Sequence, residues 1–351
     1  MVKMKTIKIS SRMIGAGNPV FVIAEAGVNH NGQVKLAKKM IDAAKKAGAD
    51  AVKFQIFKAE ATATKTAEKA EYQKEGARRE SQYEMLKKLE LTENEFRQLA
   101  AYAKRKNIIF LASAFDRKSV DFLDELGVPA FKVPSGEITN FPLLGQIAKK
   151  GKPIILSTGM STLQEVKEAL GVLRSGGARD IVLLHCVSTY PTKVEEANLR
   201  AMETLRRTFK LPVGFSDHTL DITVPIAAAA LGAVVIEKHF TLDRKLPGPD
   251  HKASLEPREL REMVARIGLV EKALGDGIKR PTKSEEVIKK VIGRSIVAKI
   301  NIPRGIVITE KMLELKRPGT GLGPEHLKKV IGKRAKKDMM ADELVTLEKL
   351  V

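Results

Sequence analysis

"AVVIEKH", residues 233–239, runs small and β-branched apolar residues, the spelling of a buried strand, directly into Glu237, Lys238 and His239. Ionisable side chains are costly to bury without partners, so a strand ending this way must deliver them to a place that uses them. Period-two alternation puts Glu237 and His239 on one face and Lys238 on the other. Seven similar runs precede it: "PVFVIAE" (19–25), "AVKFQI" (51–56), "IIFLAS" (108–113), "PAFKV" (129–133), "PIILS" (153–157), "IVLLHC" (181–186) and "PVGFSD" (212–217). Segments of helical period separate them, and several open on capping-box pairs, Thr92 with Glu95 and Thr162 with Glu165, where a hydroxyl meets free backbone N–H groups. Strand then helix, eight times over about 275 residues, predicts a TIM barrel of the α/β class. A doubly wound open sheet is the alternative, but no glycine fingerprint leads the first strand into a helix. "GAG" (15–17) precedes that strand and reads as a turn, and "TIKISSRMIGAGNPVFVI" (6–23) is expected to form a hairpin beneath the barrel.

After Leu274 the texture changes. "GDGIKRPTKSEEVIKK" (275–290) is polar and basic with Gly and Pro, which predicts a linker over 276–293 between a barrel domain at 1–275 and a small β-rich domain at 294–351. In the latter, "RSIVAKINI" (294–302), "GIVIT" (305–309) and "ELVTLEKLV" (343–351) read as strands; a module of about sixty residues gains from neighbours.

The 351 residues carry 62 Lys and Arg against 42 Asp and Glu, a formal charge of +20. Such an excess suits nucleic acid, an anionic membrane surface or acidic small substrates, and its distribution selects the third. The cations lie in mixed-sign helical stretches such as "MLKKLELTENEFRQLAAYAKRK" (85–106), with no basic tail, and the chain has no Trp for base stacking. A Lys-rich, mixed-charge surface also fits a thermophile. Cys186 is the single cysteine, so no intrachain disulfide forms, and a reducing cytosol is the expected setting. "MVKMKTIKISSR" lacks an apolar signal core, and the longest apolar stretch, "PIAAAALGAVVI" (225–236), is too short to span a bilayer. The expectation is a cytoplasmic protein with neither nucleic-acid nor membrane partner.

In a TIM barrel the reacting groups sit where strands end in loops at the carboxyl rim. Here every run ends in polarity: Glu25, Lys53 with Gln55, Ser113, Lys132, Ser157, His185, Ser216, and Glu237 with His239. Alternation allows this set to point inward together, with Lys132 opposite Phe131 and Val133. A lone Ser or Gln at a strand end is commonly a turn residue. Lysines within buried strands need partners, which favours an anion near Lys53 and Lys132. His185 divides evenly between core and site; Cys186, on the other face from it, reads as a packed small group. His218 and His239 end consecutive strands about five Å apart, so both imidazoles can reach one metal ion, with Asp217, Glu237, Asp250 and His251 nearby. There is no HExxH and no thiolate cluster, and zinc stays open. Ser135, Ser157 and Ser216 could serve a phosphate or carboxylate, and without a Walker motif nucleotide binding has no support.

"IAEAGVNHNG" (23–32), "VKFQ" (52–55), "FKVPSGE" (131–137), "ILSTGMS" (155–161), "HCVSTYPT" (185–192), "GFSDHT" (214–219), "EKHFTLD" (237–243), "GPDHKAS" (248–254) and "KRPGTGL" (316–322), in this order, resemble the sialic acid synthase family, which includes N-acetylneuraminate and legionaminate synthases. The resemblance implies a TIM barrel followed by an antifreeze-like SAF domain. It implies condensation of phosphoenolpyruvate with an N-acylated amino sugar, N-acetylmannosamine or a 2,4-diacetamido analogue, with release of phosphate. His218 and His239 would hold Mn²⁺ or Mg²⁺. Lys53, Ser113, Lys132, Ser135, Ser157 and Ser216 match the phosphoenolpyruvate-holding set; Gln55, Glu137 and Tyr190 match sugar-side positions, with Ser188 and Asp250 among the substrate contacts. Glu25 is the candidate for handling water, and Glu25, Lys53, Lys132 and Glu137 make up the implied catalytic set. Arg317 matches an arginine that reaches the partner subunit's barrel, implying a domain-exchanged homodimer. "ASAFD" (112–116) departs from the family's usual "STPFD", and Ser188 stands where several relatives place Asn or Thr. The segment 60–82 is expected to cover the sugar. Alternatives are a KDO or DAHP synthase type acting on phosphorylated sugars, a Schiff-base aldolase using Lys132 or Lys238, and a catalytically dead barrel that binds nucleic acid.

Overall fold

The computed structural model describes residues 5–70, 73 and 80–351, so the middle of the expected sugar cover at 60–82 lies outside the described residues. An antiparallel hairpin, β1 (Ile7–Ile9) and β2 (Arg12–Ile14), precedes eight parallel strands. These are β3 (Phe21–Gly27), β4 (Ala51–Ile56), β5 (Ile109–Ala114), β6 (Phe131–Val133), β7 (Ile154–Ser157), β8 (Ile181–Cys186), β9 (Val213–Asp217) and β10 (Val235–His239). They pair in chain order and close where β10 meets β3, with His239 in register with Glu25. Parallel neighbours need a long crossover, and the amphipathic helices between the runs supply it. The helices Glu93–Arg105 and Leu163–Ser175 begin on Thr92 and Thr162, each in a complete capping box with its glutamate.

Alternation sorts each strand into an outer and an inner row. Val22, Ala24, Phe54, Phe110, Phe131, Val133, Ile236 and their neighbours pack outward against the helices. Phe21, Ile23, Ala51, Leu111, Ile155, Val182, Leu184 and Val235 fill the lower barrel, where Ile7, Ile9 and Ile14 of the hairpin join them as a plug. The next inward layer, toward the carboxyl rim, is where the polar strand ends fall.

The chain divides into two compact units, Met1–Gly275 and Asp276–Val351. In the second, β11 (Ser295–Ala298) pairs antiparallel with β12 (Leu313–Lys316) around a small core that includes Ile296, Ile302, Ile308, Val330 and Val345. Two expectations need correction. Residues 305–309 and 343–351 form isolated bridges, Val307 with Arg334, Leu344 with Val297 and Leu350 with Ala335, while β12 was not foreseen. Closely spaced turns in a module this small leave room for single bridges rather than long ladders. The predicted linker contains a helix, Lys283–Ile292, capped by Thr282 with Glu285 and carrying exposed Val287, Ile288, Val291 and Ile292. The Gly and Pro before it masked the capping box in "TKSE". Among the described residues no helix is long and apolar enough to cross a membrane.

Candidate active site

Register places the inward polar residues side by side: Glu25 beside Lys53, Gln55 beside Ser113, Ser113 beside Lys132, and Ser216 beside Glu237. They interlock. The Lys53 ammonium lies 3.0 Å from Glu25 Oε1 and 3.5 Å from Glu237 Oε2, and donates to Ser113 Oγ at 3.0 Å. Lys132 sits 3.3 Å from Glu237 Oε1, which also accepts the Ser216 hydroxyl at 2.9 Å. Gln55 donates to Glu25 Oε1 at 3.4 Å. Both lysines and both glutamates are almost wholly buried, so this is a low-dielectric chamber in which each charge depends on its partners.

The two carboxylates are driven apart. Burial pushes Glu25 up to about 7, Lys53 opposing it and Glu237 adding like-charge repulsion. Burial also works to raise Glu237, but Lys132, Lys53 and the Ser216 hydroxyl outweigh it and hold that carboxyl at about 2. Burial lowers both ammonium groups; Glu237 and Glu25 more than restore Lys53, whereas Lys132 remains depressed. Glu237 is therefore the fixed anion between two cations, and Glu25 the group poised to exchange a proton near neutrality.

On the far side of the chamber three rings meet. The His218 and His239 centroids are 5.6 Å apart, and Tyr190 lies 4.1 Å from His218 and 5.5 Å, edge on, from His239. His218 Nδ1 donates to the Val187 carbonyl at 2.5 Å, fixing the ring and leaving Nε2 as its acceptor. Among the described residues His239 Nδ1 is buried without a hydrogen-bond partner. Burial drives His218 down to about 4 and His239 well below its usual value, so both imidazoles are neutral, the form that binds cations. Gly27 follows a register shift in β3 at φ +52°; a Cβ there would meet His239 Cε1 at 3.4 Å, so the bulge lets the backbone pass close to the ring.

Two neutral imidazoles this close could share a divalent ion. Among the described residues no group of three or more His, Cys, Asp or Glu could hold a metal. The chain offers two neutral imidazoles, one with an orphaned buried nitrogen, and remaining positions would fall to substrate and water. Three other candidates are engaged elsewhere. Asp217 points away from the barrel axis toward Thr219 and Lys238, because it is one residue out of phase with Ser216. His251 is held between the Thr241 hydroxyl, 2.6 Å, and Asn31 Oδ1, 3.1 Å. Glu237 is held by the lysines.

The outer wall carries the rest. Ser135 and Ser188 hydroxyls share a 2.8 Å hydrogen bond, and Gly159, at φ +46°, is the only residue type that fits against them, since a Cβ would lie 2.2 Å from Ser135 Cβ. Glu137 accepts from Asn140 at 2.7 Å, and burial raises its carboxyl. Ser157 is buried beside the Cys186 thiol, and burial alone pushes Asp250 up to about 6. Arg317 is exposed just after β12 in the second unit.

One strand end, evenly divided between core and site, falls to the core. His185 faces the helices, bonded to the Ala197 carbonyl and set against Phe215, because Leu184 is an inward residue. Its neighbour Cys186 faces inward instead, accepts the Gly159 N–H at 3.2 Å and feels the Lys132 charge, although burial keeps the thiol protonated. The phase of "VLLHC" shows this once Leu184 is assigned inward. Lys238 likewise faces outward, which removes it as an imine-forming lysine.

The model of the NeuB family matches residues 40–279, and that of the SAF domain residues 293–351. The chain belongs to the NeuB family. It is 51% identical over 327 residues, 92% of this chain and 98% of the relative, to N,N'-diacetyllegionaminic acid synthase of Campylobacter jejuni. It is 38% identical to human N-acetylneuraminate-9-phosphate synthase, covering 97% of this chain and 95% of that one. Among solved structures, the N-acetylneuraminic acid synthetase of Leptospira borgpetersenii superposes with a TM-score of 0.73 at 38% identity, over 81% of this chain and 95% of that one. This NeuB-family chain is thus an enzyme of the acid synthase type, a TIM barrel with a SAF domain.

Proposed function

We propose that the enzyme condenses phosphoenolpyruvate with the open-chain aldehyde of an N-acylated amino sugar, N-acetylmannosamine or a 2,4-diacetamido analogue, giving a nonulosonic acid and phosphate. The observation that carries this is the juxtaposition of a cationic cradle, Lys53 and Lys132, with a pair of neutral imidazoles, His218 and His239. The ammonium groups and the Ser113, Ser157 and Ser216 hydroxyls would hold the phosphate and carboxylate, with Ser135 and Ser188 at their edge. Gln55, Glu137, Tyr190 and Asp250 would line the sugar. The methylene carbon bonds to the aldehyde carbon, whose oxygen takes up a proton; water adds to the resulting cationic centre, and the C–O bond to phosphate breaks. Glu25, poised near neutrality and beside Lys53, would accept the proton of that water. A divalent cation, Mn²⁺ or Mg²⁺, held by His218 and His239 would polarise the aldehyde oxygen.

Inorganic phosphate should appear only when enzyme, cation, phosphoenolpyruvate and N-acyl sugar are all present. Release that survives chelation would remove the cation from the reaction, and release with phosphorylated aldoses but no N-acyl sugar would favour the KDO or DAHP type. We also assign Arg317 to sugar recognition in the partner subunit of a domain-exchanged homodimer, where its fork suits a hydroxyl or acyl oxygen. Arg317→Ala should raise the sugar KM by about tenfold, the scale of one charged hydrogen bond, and leave the phosphoenolpyruvate KM in place. Unchanged sugar kinetics, or a monomer by light scattering, would refute the assignment.

A further inference from the structure

Lys238 is fully buried, yet it lies outside the barrel and takes no part in the chamber. Its ammonium sits 2.5 Å from Asp217 Oδ2, across the β9–β10 pairing that sets these two residues opposite each other, and donates to the Thr219 carbonyl. Asp217 in turn accepts the Thr219 N–H through Oδ1 at 3.1 Å and the Thr219 hydroxyl through Oδ2 at 3.0 Å. The three residues form a closed ring of bonds. Two of them, Asp217 and Thr219, flank His218, and the third immediately precedes His239. A single ammonium thus ties together the two chain segments that carry the imidazoles, behind the strands and away from solvent.

An ion pair buried on both sides is rarely a net gain in stability, since desolvation offsets much of its attraction. A buried ring of this kind does fix geometry, because each bond lost would leave a charge or carbonyl unsatisfied. We propose that Lys238 is a positioning residue that sets the separation and aim of the His218 and His239 rings for a divalent cation. The inference rests on the proposal that this pair holds the ion. With Lys238 in place, the turn 217–219 cannot rotate about β9, and the 5.6 Å ring separation is held from outside the chamber.

The test is a Mn²⁺ titration of the full-length protein, following free ion by electron paramagnetic resonance, on wild type, His239→Ala, Lys238→Met and Asp217→Asn. Outer groups that orient metal ligands typically change affinity by about 10- to 100-fold. Lys238→Met is expected to bind Mn²⁺ at least about tenfold more weakly than wild type, and Asp217→Asn to fall between them. Saturating Co²⁺ should give a shifted visible spectrum in both, a change that mere loss of stability in a folded sample would not produce. Should Lys238→Met fail to fold, Asp217→Asn decides by the same two measurements. Wild-type affinity and spectrum in the folded variants, alongside binding lost in His239→Ala, would overturn the positioning role alone. Equal Mn²⁺ binding by wild type and His239→Ala, or none by either, would overturn the imidazole-pair reading and this inference with it.

Discussion

His239→Ala should lower turnover by roughly 10³-fold, the scale on which removing a charge-stabilising group acts in an active site, while leaving the protein folded. Among the described residues the ring makes no hydrogen bond through Nδ1, and its ring contacts are edge-on to Tyr190 and tilted by 58° to His218. It therefore contributes less to holding the chamber together than the lysines and glutamates do. What its removal takes away is one of two neutral imidazoles. Phosphate release under saturating substrates measures the effect, and the phosphoenolpyruvate dissociation constant should stay near wild type, because the anion cradle is formed by other strands. Substantial turnover in this variant would show that the imidazole pair is not the electrophilic centre.

Most of this chamber could be foreseen from one rule, the two-residue alternation of a strand, applied to runs whose apolar partners fix the phase. Lys53 and Gln55, Lys132, and Glu237 with His239 fall inward because Phe54, Phe131 with Val133, and Ile236 fall outward. The rule left His185 open at β8, where "LLHC" offers two leucines in succession and the inward one must be known before His185 or Cys186 can be placed. It also left Glu237 underrated. A strand-end glutamate looks like a ligand or a base, and only the pairing of β10 with β9 and the positions of Lys53 and Lys132 show it to be the anion that keeps two buried cations charged. The ring around Lys238 was beyond the sequence, since it needs the register of two strands and the path of a turn. In the second unit the apolar runs are short and turn-bound, so alternation had too little length to act on. The helix Lys283–Ile292 is legible in its capping box, but the polar Gly- and Pro-containing segment before it carries the stronger linker signal.

Lys53→Met should separate the structural from the substrate-binding role of the cradle. Removing one partner of a buried ion pair costs about 3–5 kcal/mol when the other charge is left uncompensated. Here Glu25 can escape part of that cost by remaining protonated, since it already sits at about 7 with Lys53 present. A carboxyl whose folded-state value is raised above its unfolded value lets the unfolded chain ionise first, so stability falls as pH rises from the unfolded value through the folded one. In wild type that loss is confined between about 4.5 and 7. Without Lys53 the folded value rises further, and the loss continues above pH 7. Near pH 5 Lys53→Met should therefore trail wild type only by its lost pairing with Glu237, and it should fall progressively further behind toward pH 9, by about 3 kcal/mol from the lost pairing with Glu25. Adding Glu25→Gln removes the ionisation and should flatten that dependence, returning the stability of the double variant at pH 9 most of the way. Activity should not return with it. A missing ammonium at the anion site should lower kcat/KM for phosphoenolpyruvate by about 10²–10³-fold in both variants, as expected for a lost charge-assisted contact. Denaturant melts at several pH values and phosphate-release kinetics measure the two quantities independently. Should the double variant regain kcat/KM together with stability, Lys53 would serve only to neutralise Glu25, and the cradle would have to be sought around Lys132 alone.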